Sequence, residues 1–306
     1  MMANVIKALA RFACMLVVGV VVSAIGFGEE PTLARKPLLA ASLPRKLVFD
    51  PLYSTRNSLP HNWESHPLAP ALNLARVRGA YLHEHVRDFT CLLVKRERIN
   101  GQLHDYEYLA TKVRREQRDG DQITKPFAIY AQYLGPKKVR GRQVLYVQGE
   151  NDGKMLVRKG GSRFNYITVK LQPNGAAAMR ESRYPITELG LDSITQRFIS
   201  QTLNDIRHDP TGENSRVTFF HQASVENRPC LHIQVVHPTR QEQFTYHMAN
   251  IYIDNELHMP IRVEIYDWPK DGDAKPVLEE EYTLTRLQLN VGLTDADFSP
   301  SVLDRK

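Results

Sequence analysis

The residues able to do chemistry are scattered along this chain of 306 residues. His83 and His85 stand two apart in "HEH", within a helical pattern. Side chains two residues apart on a helix point in different directions, unlike the four-residue spacing of a helical zinc pair. His221, His232, His237 and His247 fall in strand-like runs that neighbouring strands could bring together. Ordinary polar or half-buried imidazoles explain them more simply than a metal site. The carboxylates of "LEEEY", Leu278 to Tyr282, and of Asp267 lie on strands. No pattern fixes two of them at the separation that glycoside hydrolysis needs, and the solvated face of an antiparallel strand accounts for them. "GGSRF", Gly160 to Phe164, lacks the features of a nucleophile elbow. "NDGK", Asn151 to Lys154, precedes a strand, whereas a phosphate-binding loop opens a helix. No catalytic residue, metal ligand or cofactor is therefore expected.

Apolar and aromatic side chains carry more information. Tyr106 with Tyr108, Phe127 with Ile129 and Tyr133, Tyr146, and Phe244 with Tyr246 and Met248 recur at every second position of their runs. Phe198 joins them from a helix. Each pattern must meet something apolar, either a helix or a ligand. These ten residues are the candidate ligand-binding set. A second pattern is basic: Lys95, Arg96, Arg98, Arg114, Arg115, Lys137, Lys138, Arg140, Arg142, Arg158 and Arg163 crowd the first half-sheet and its turns. It reads either as solvated strand faces with edge protection or as a docking face for anionic headgroups at a membrane periphery. The first reading is the simpler.

These residues need elements to position them. Leu72, Ala75, Gly79, Leu82 and Val86 form one helical stripe, with Pro70 at a helix start. From Asp88 the period becomes two, and Phe89, Cys91 and Leu93 share a strand face. Asn100–Gly101 is a hairpin signal. Further strand runs follow to about Lys159. A second helix is read from about Pro185 to His208, and five more strands close the chain, the last ending at Asn290. The predicted fold is α+β: a strongly curved antiparallel sheet of about ten strands, a half-open β-barrel, with two main helices on its concave face. The last strand is expected to pair with the strand around Arg262–Trp268 and to cover the sheet edge, with Phe298 folded back as an anchor.

The N-terminus is a separate object. Lys7 and Arg11 precede an apolar run, Phe12 to Phe27, ending among small residues. This pattern predicts a secretory signal peptide over residues 1–28, with an uncleaved anchor as the alternative. Residues 29–70 hold seven of the 18 prolines and no periodicity, and read as an extended linker before a single domain at 71–306. Removing residues 1–28 takes away two bases, Lys7 and Arg11, and no acid, so 38 bases face 34 acids. That balance, with export, argues against nucleic acid. Cys91 and Cys230 remain, and pairing and two buried thiols are both open.

"KPFAIYAQYLGPKKVRGRQVLYVQGENDGKMLV" and the ending "YTLTRLQLNVGLTDADFSP" resemble the bacterial secreted family called domain of unknown function 1571, from about Val86 to Pro300. More distantly, the element order and the residues Asn290, Leu293, Asp295 and Phe298 resemble LolA-type periplasmic lipoprotein carriers. That likeness implies an incomplete barrel over an apolar cavity, with helices as its lid. The expected function is that of a periplasmic or secreted, non-enzymatic binding protein for a lipid, an acyl chain or a lipoprotein segment. An envelope module with a packed core and a protein partner is the competing class, and an unrecognised hydrolase the third.

Overall fold

The computed structural model describes residues 59–160, 167–270 and 275–304. The expected signal peptide lies outside the described residues, as does most of the expected linker. The first half contains helix α1 (Ala69–His85) and strands β1 (Asp88–Ile99), β2 (Gln102–Leu103), β3 (Glu107–Arg114), β4 (Gln117–Asp119), β5 (Gln122–Lys125), β6 (Ala128–Gly135), β7 (Gln143–Val147), β8 (Met155–Arg158) and β9 (Thr168–Leu171). Two helices follow, a single turn α2 (Ala176–Met179) and α3 (Leu191–His208). Then come β10 (Arg216–Val225), β11 (Arg228–Val236), β12 (Met248–Asp254), β13 (Pro260–Asp267) and β14 (Val277–Leu289).

Among the described residues, twelve strands form one antiparallel sheet in the order β10-β11-β12-β13-β14-β1-β3-β6-β7-β8-β9, with β2 beside β1. β9 and β10 end the order and do not pair, so the curved sheet stays open. Strands β4 and β5 make a separate ribbon. The last strand pairs with β13 as expected, Arg262 opposite Thr283 and Val263 opposite Tyr282. It does not cover an edge. Its other side pairs with β1, Phe89 opposite Leu289 and Lys95 opposite Tyr282, so β14 lies inside the sheet and joins its two halves. The physical reason is that β14 carries apolar residues far along its length and has two free backbone edges, which only an interior position satisfies.

Local chemistry explains the boundaries. Asn100 and Gly101 both take positive φ, 51° and 79°, as a tight two-residue hairpin turn requires. Pro70 sits in the first turn of α1. Helix α3 starts at Leu191 rather than near Pro185, because Gly190 at φ 146° breaks the chain path after a 3₁₀ turn at Ile186–Glu188. A Cβ at Gly190 would also stand 3.4 Å from the Phe89 ring. The alternating run that holds Phe244, Tyr246 and Met248 is strand only from Met248. Before it, Phe244 stacks on the His237 ring at 3.9 Å and the Tyr246 hydroxyl donates to Asp205, contacts that pull the chain out of the ladder. β9, within "NYITVKLQPN", is an additional strand.

Helices α1 and α3 cross one face of the sheet, its inner face. One core joins Trp63, Leu68, Leu72 and Ala75 to Ile199, Leu203 and Ile206 and to Ile233, Val235, Ala249 and Ile251 of the sheet. A second joins Leu82, Val86 and Leu191 to Phe89, Cys91, Leu93, Leu109 and Ile129. The packed chain therefore begins before Ala71: of the expected linker, residues 59–70 are docked, with Trp63 and Leu68 buried and His66 Nε2 2.7 Å from the Asp209 carbonyl oxygen. On the outer face, Phe298, Val302 and Leu303 pack on Ala128, Leu145, Val147 and Leu156. Cys91 and Cys230 are both free and buried, in different clusters.

Candidate functional site

Between α1, α3 and the inner face of β11 to β14 lies a cavity of about 600 Å³. Its floor is aliphatic because successive strands present alternate residues to one face: Ile233 of β11, Ala249, Ile251 and Ile253 of β12, Val263 and Ile265 of β13. Helix α1 contributes Ala75, and α3 contributes Ile194 and Phe198. Small side chains at Ala75 and Ala249 leave the space unfilled. A sealed dry void of that size would cost about 14 kcal/mol at ~24 cal/mol per Å³, as much as a whole domain's stability. The space must therefore open to solvent or hold an occupant.

The rim is polar and mostly cationic. Arg78, Arg183 and Arg197 line it, with Glu280 as the carboxylate among them. Glu280 is only 6% exposed. Its Oε1 accepts from the Tyr184 hydroxyl at 3.1 Å. Arg183 Nε lies 2.9 Å from Oε2, at ion-pair distance but without hydrogen-bond alignment. Burial pushes the Glu280 carboxyl above the ordinary glutamate range, although Arg183 and the Tyr184 hydroxyl act against it. Arg197 stacks over the Tyr184 ring at 3.9 Å and approaches Glu188 at 3.5 Å.

Beyond the rim the inner face stays polar. Lys95, 1% exposed, lies 3.0 Å from Glu97 and 3.2 Å from Glu107. The Tyr282 hydroxyl donates to Glu97. Burial would lower the Lys95 ammonium, but Glu97, Tyr133 and Glu107 together outweigh this and hold it above the ordinary lysine range. Lys95, Arg114 and Arg115 are thus not solvated strand residues, and Glu280 and Glu281 are buried rather than exposed. Each of these five has an opposite charge in reach, which alternation alone does not reveal.

The candidate residues divide. Phe198 and Tyr246 line this cavity. Tyr133 lines a second cavity of about 640 Å³ under β6 to β9, whose border reaches Ile167 beside residues outside the described set. Ile129 is buried in the inner core, with Phe127 and Tyr146 packed against it. Phe244 is buried against His237. The other three correct the expectation. Tyr106 donates to Glu281 under the Arg96 guanidinium, and Tyr108 is 42% exposed beside the inward Leu109, so both sit on the outer face. Met248 alternates with the inward Ala249 and faces outward too. Tyr106 lies in a loop between β2 and β3, where the period of two does not run on. The rim arginines were not candidates, since nothing in their spacing separates them from surface charges.

The nearest approach to acid–base machinery among the described residues is Ser215, His237 and Asp205. Ser215 Oγ is 3.4 Å from His237 Nδ1, and His237 Nε2 is 3.3 Å from Asp205 Oδ2. All three are buried, and Ser215 donates instead to Asp209 Oδ2 at 2.8 Å. Neither Ser215 nor His237 lines either cavity described above. The cluster ties the end of α3 to β10 and β11 and leaves no room for a substrate. Among the described residues, no group of three or more His, Cys, Asp or Glu side chains is gathered as a metal site requires.

The model of the family described as "Protein of unknown function (DUF1571)" matches residues 86–304. The chain belongs to this family. The DUF1571 region takes in the whole main sheet and α3, hence the cavity floor and Arg183, Arg197 and Glu280, while α1 with Ala75 and Arg78 precedes it. A search of curated proteins finds no match. Among solved structures, the DUF1571 chain is similar to a DUF1329 family protein from Desulfovibrio piger, at 16% identity over 78% of this chain and 100% of that one, TM-score 0.36. It is similar to a domain from Vibrio parahaemolyticus described as an outer membrane lipoprotein-sorting protein, at 13% over 80% and 100%, TM-score 0.36. A LolA superfamily protein from Nitrosomonas europaea shows 9% over 74% and 96%, TM-score 0.33.

Proposed function

We propose that this DUF1571 protein is an exported, non-enzymatic binding protein, periplasmic or secreted once residues 1–28 are removed, that holds a lipid, an acyl chain or a lipoprotein segment between α3 and the sheet. The observation carrying this reading is the cavity of about 600 Å³ with an aliphatic floor and a polar rim. That combination is the usual build of a small-ligand site, in which apolar walls supply affinity and a few polar groups supply orientation. A module with a fully packed core would not leave such a space, since interiors are normally filled to crystal-like density. Among the described residues, no helix is long and apolar enough to cross a membrane.

Native mass spectrometry of the protein purified from its own envelope, without detergent, tests the reading. The expected result is a discrete adduct in the lipid mass range that is lost on solvent extraction. A bare chain mass, together with no uptake of a fluorescent fatty acid by the extracted protein, would overturn it.

A further inference from the structure

Resting on that reading, we infer that the occupant is an amphiphile with an anionic head, its alkyl chain on the aliphatic floor and its carboxylate or phosphate against Arg78. The argument begins with the rim charges: three guanidinium groups against one carboxylate. Two of the three are already engaged. Arg183 meets Glu280, and it donates to Glu279 at 2.9 Å. Arg197 is held by the Tyr184 ring and Glu188.

Arg78 differs. Among the described residues it makes no hydrogen bond or ion pair, and its Nε is buried without a partner. It projects from α1 onto the wall of the cavity, where it shares the lining with Ala75 and Phe198. Burial lowers its pKa, the mark of a cation partly stripped of water with no carboxylate to compensate.

Arg78 as a whole is half-buried, so the cost falls on the buried Nε, which lacks both water and a partner. Guanidinium presents a planar fork of donors that fits two oxygens of one carboxylate or phosphate. A neutral ester head offers the fork one carbonyl acceptor and no charge, and a cationic head would be repelled. The aliphatic floor excludes a free small anion as the whole occupant, since such an ion would leave the apolar walls unfilled. The structural alternative is that Arg78 only lays its methylene stem over apolar surface.

Titration of the lipid-extracted full chain decides between them. The probes are sodium hexadecanoate, hexadecyl phosphate and methyl hexadecanoate, read by calorimetry and native mass spectrometry. Both anions are expected to bind at least about tenfold tighter than the ester, as one charge-assisted hydrogen bond implies. Arg78→Gln should weaken both anions by about tenfold to a hundredfold and leave the ester unchanged. The tighter of the two anions names the head. Equal binding of ester and hexadecanoate, or anion binding unaltered in R78Q, overturns the headgroup assignment while the acyl cavity stands. If none of the three probes binds, the cavity reading falls and this inference with it. Should R78Q fail to fold, the preference of the wild-type chain for anion over ester decides alone.

Discussion

Arg115 grips Asp192 with two hydrogen bonds, Nε to Oδ2 at 2.7 Å and Nη2 to Oδ1 at 2.6 Å. The same guanidinium donates through Nη1 to the carbonyls of Leu82 at 2.8 Å and Val86 at 2.7 Å. One side chain at the end of β3 thus satisfies the C-terminal carbonyls of α1 and fixes the first turn of α3. It sets the distance between the two helices that roof the cavity.

Replacing Arg115 by Ala removes the guanidinium from the Val86 carbonyl and the Asp192 carboxylate, while the Leu82 carbonyl keeps the Val86 N–H. Breaking a buried pair commonly costs 3–5 kcal/mol, but Asp192 is about a third exposed, so water screens part of the loss. The expected destabilisation is about 2 kcal/mol, with Asp192→Asn costing less. Urea unfolding of the two variants checks it. A shift within about 0.5 kcal/mol for Arg115→Ala would place the residue among ordinary surface substitutions.

Phe298 is 2% exposed in its outer-face cluster, under the Arg114 guanidinium at 5.1 Å. Phe298→Ala should therefore cost about 3 kcal/mol or more, the usual range for truncating a buried Phe. Chemical denaturation measures this directly, and a loss typical of a frayed end would count against the anchor.

Acid should unlock the turn between β12 and β13. Burial alone would raise the Asp254 carboxyl, yet the Arg228 guanidinium and the amides of Leu257 and Glu256 outweigh it and hold it below the ordinary aspartate range. A carboxyl lowered by folding binds fewer protons folded than unfolded. Its contribution is complete above the unfolded value, about 3.9, and is lost as pH falls through the folded one. The urea midpoint, followed from about pH 5 to about pH 2.5, should fall less steeply for Asp254→Asn than for the wild type. Parallel profiles would show that Asp254 does not contribute to the slope.

Ala249→Phe tests the cavity itself. The floor has room for the ring, so overpacking is not forced and the melting temperature should hold or rise. Hexadecanoate binding should fall by about tenfold or more, because the ring takes the place of the alkyl chain. Unaltered binding in a well-folded variant would move the site elsewhere.

Much of this arrangement is legible in the sequence where the signal is local. Alternation at Phe89, Cys91 and Leu93 marks an inner strand face, and Asn100–Gly101 marks the first hairpin. Non-local pairing is not legible. Nothing in the pattern of β14 says that its second neighbour is β1, some 190 residues away, since any apolar-alternating edge would serve as well. Some of the candidate side chains face outward for a related reason. Tyr106 lies in the loop before β3, where the period of two does not hold, and the late start of β12 puts Met248 on the outer face. Buried charge is the third gap: Lys95 and Glu280 alternate like solvated residues, and only their ion-pair partners make the interior tolerable, Glu97 on the same strand and Glu107 on β3 for Lys95, and Arg183 from the segment before α3 for Glu280.

The interior position of β14 also bears on synthesis. A chain emerging from its N-terminus makes β1 first and the strand that must flank it last. Until Val277–Leu289 has emerged, β1 and β13 each carry an open backbone edge, and the two half-sheets have no ladder between them. Such edges recruit foreign strands, and contacts so distant in sequence form slowly. A chain stopped after Pro276 is therefore expected to aggregate, by light scattering at micromolar concentration, where the whole chain stays dispersed; equal scattering from both would deny it. If the chain is exported as proposed, delivery of β14 last puts a holding chaperone's moment of greatest need at the very end of transit.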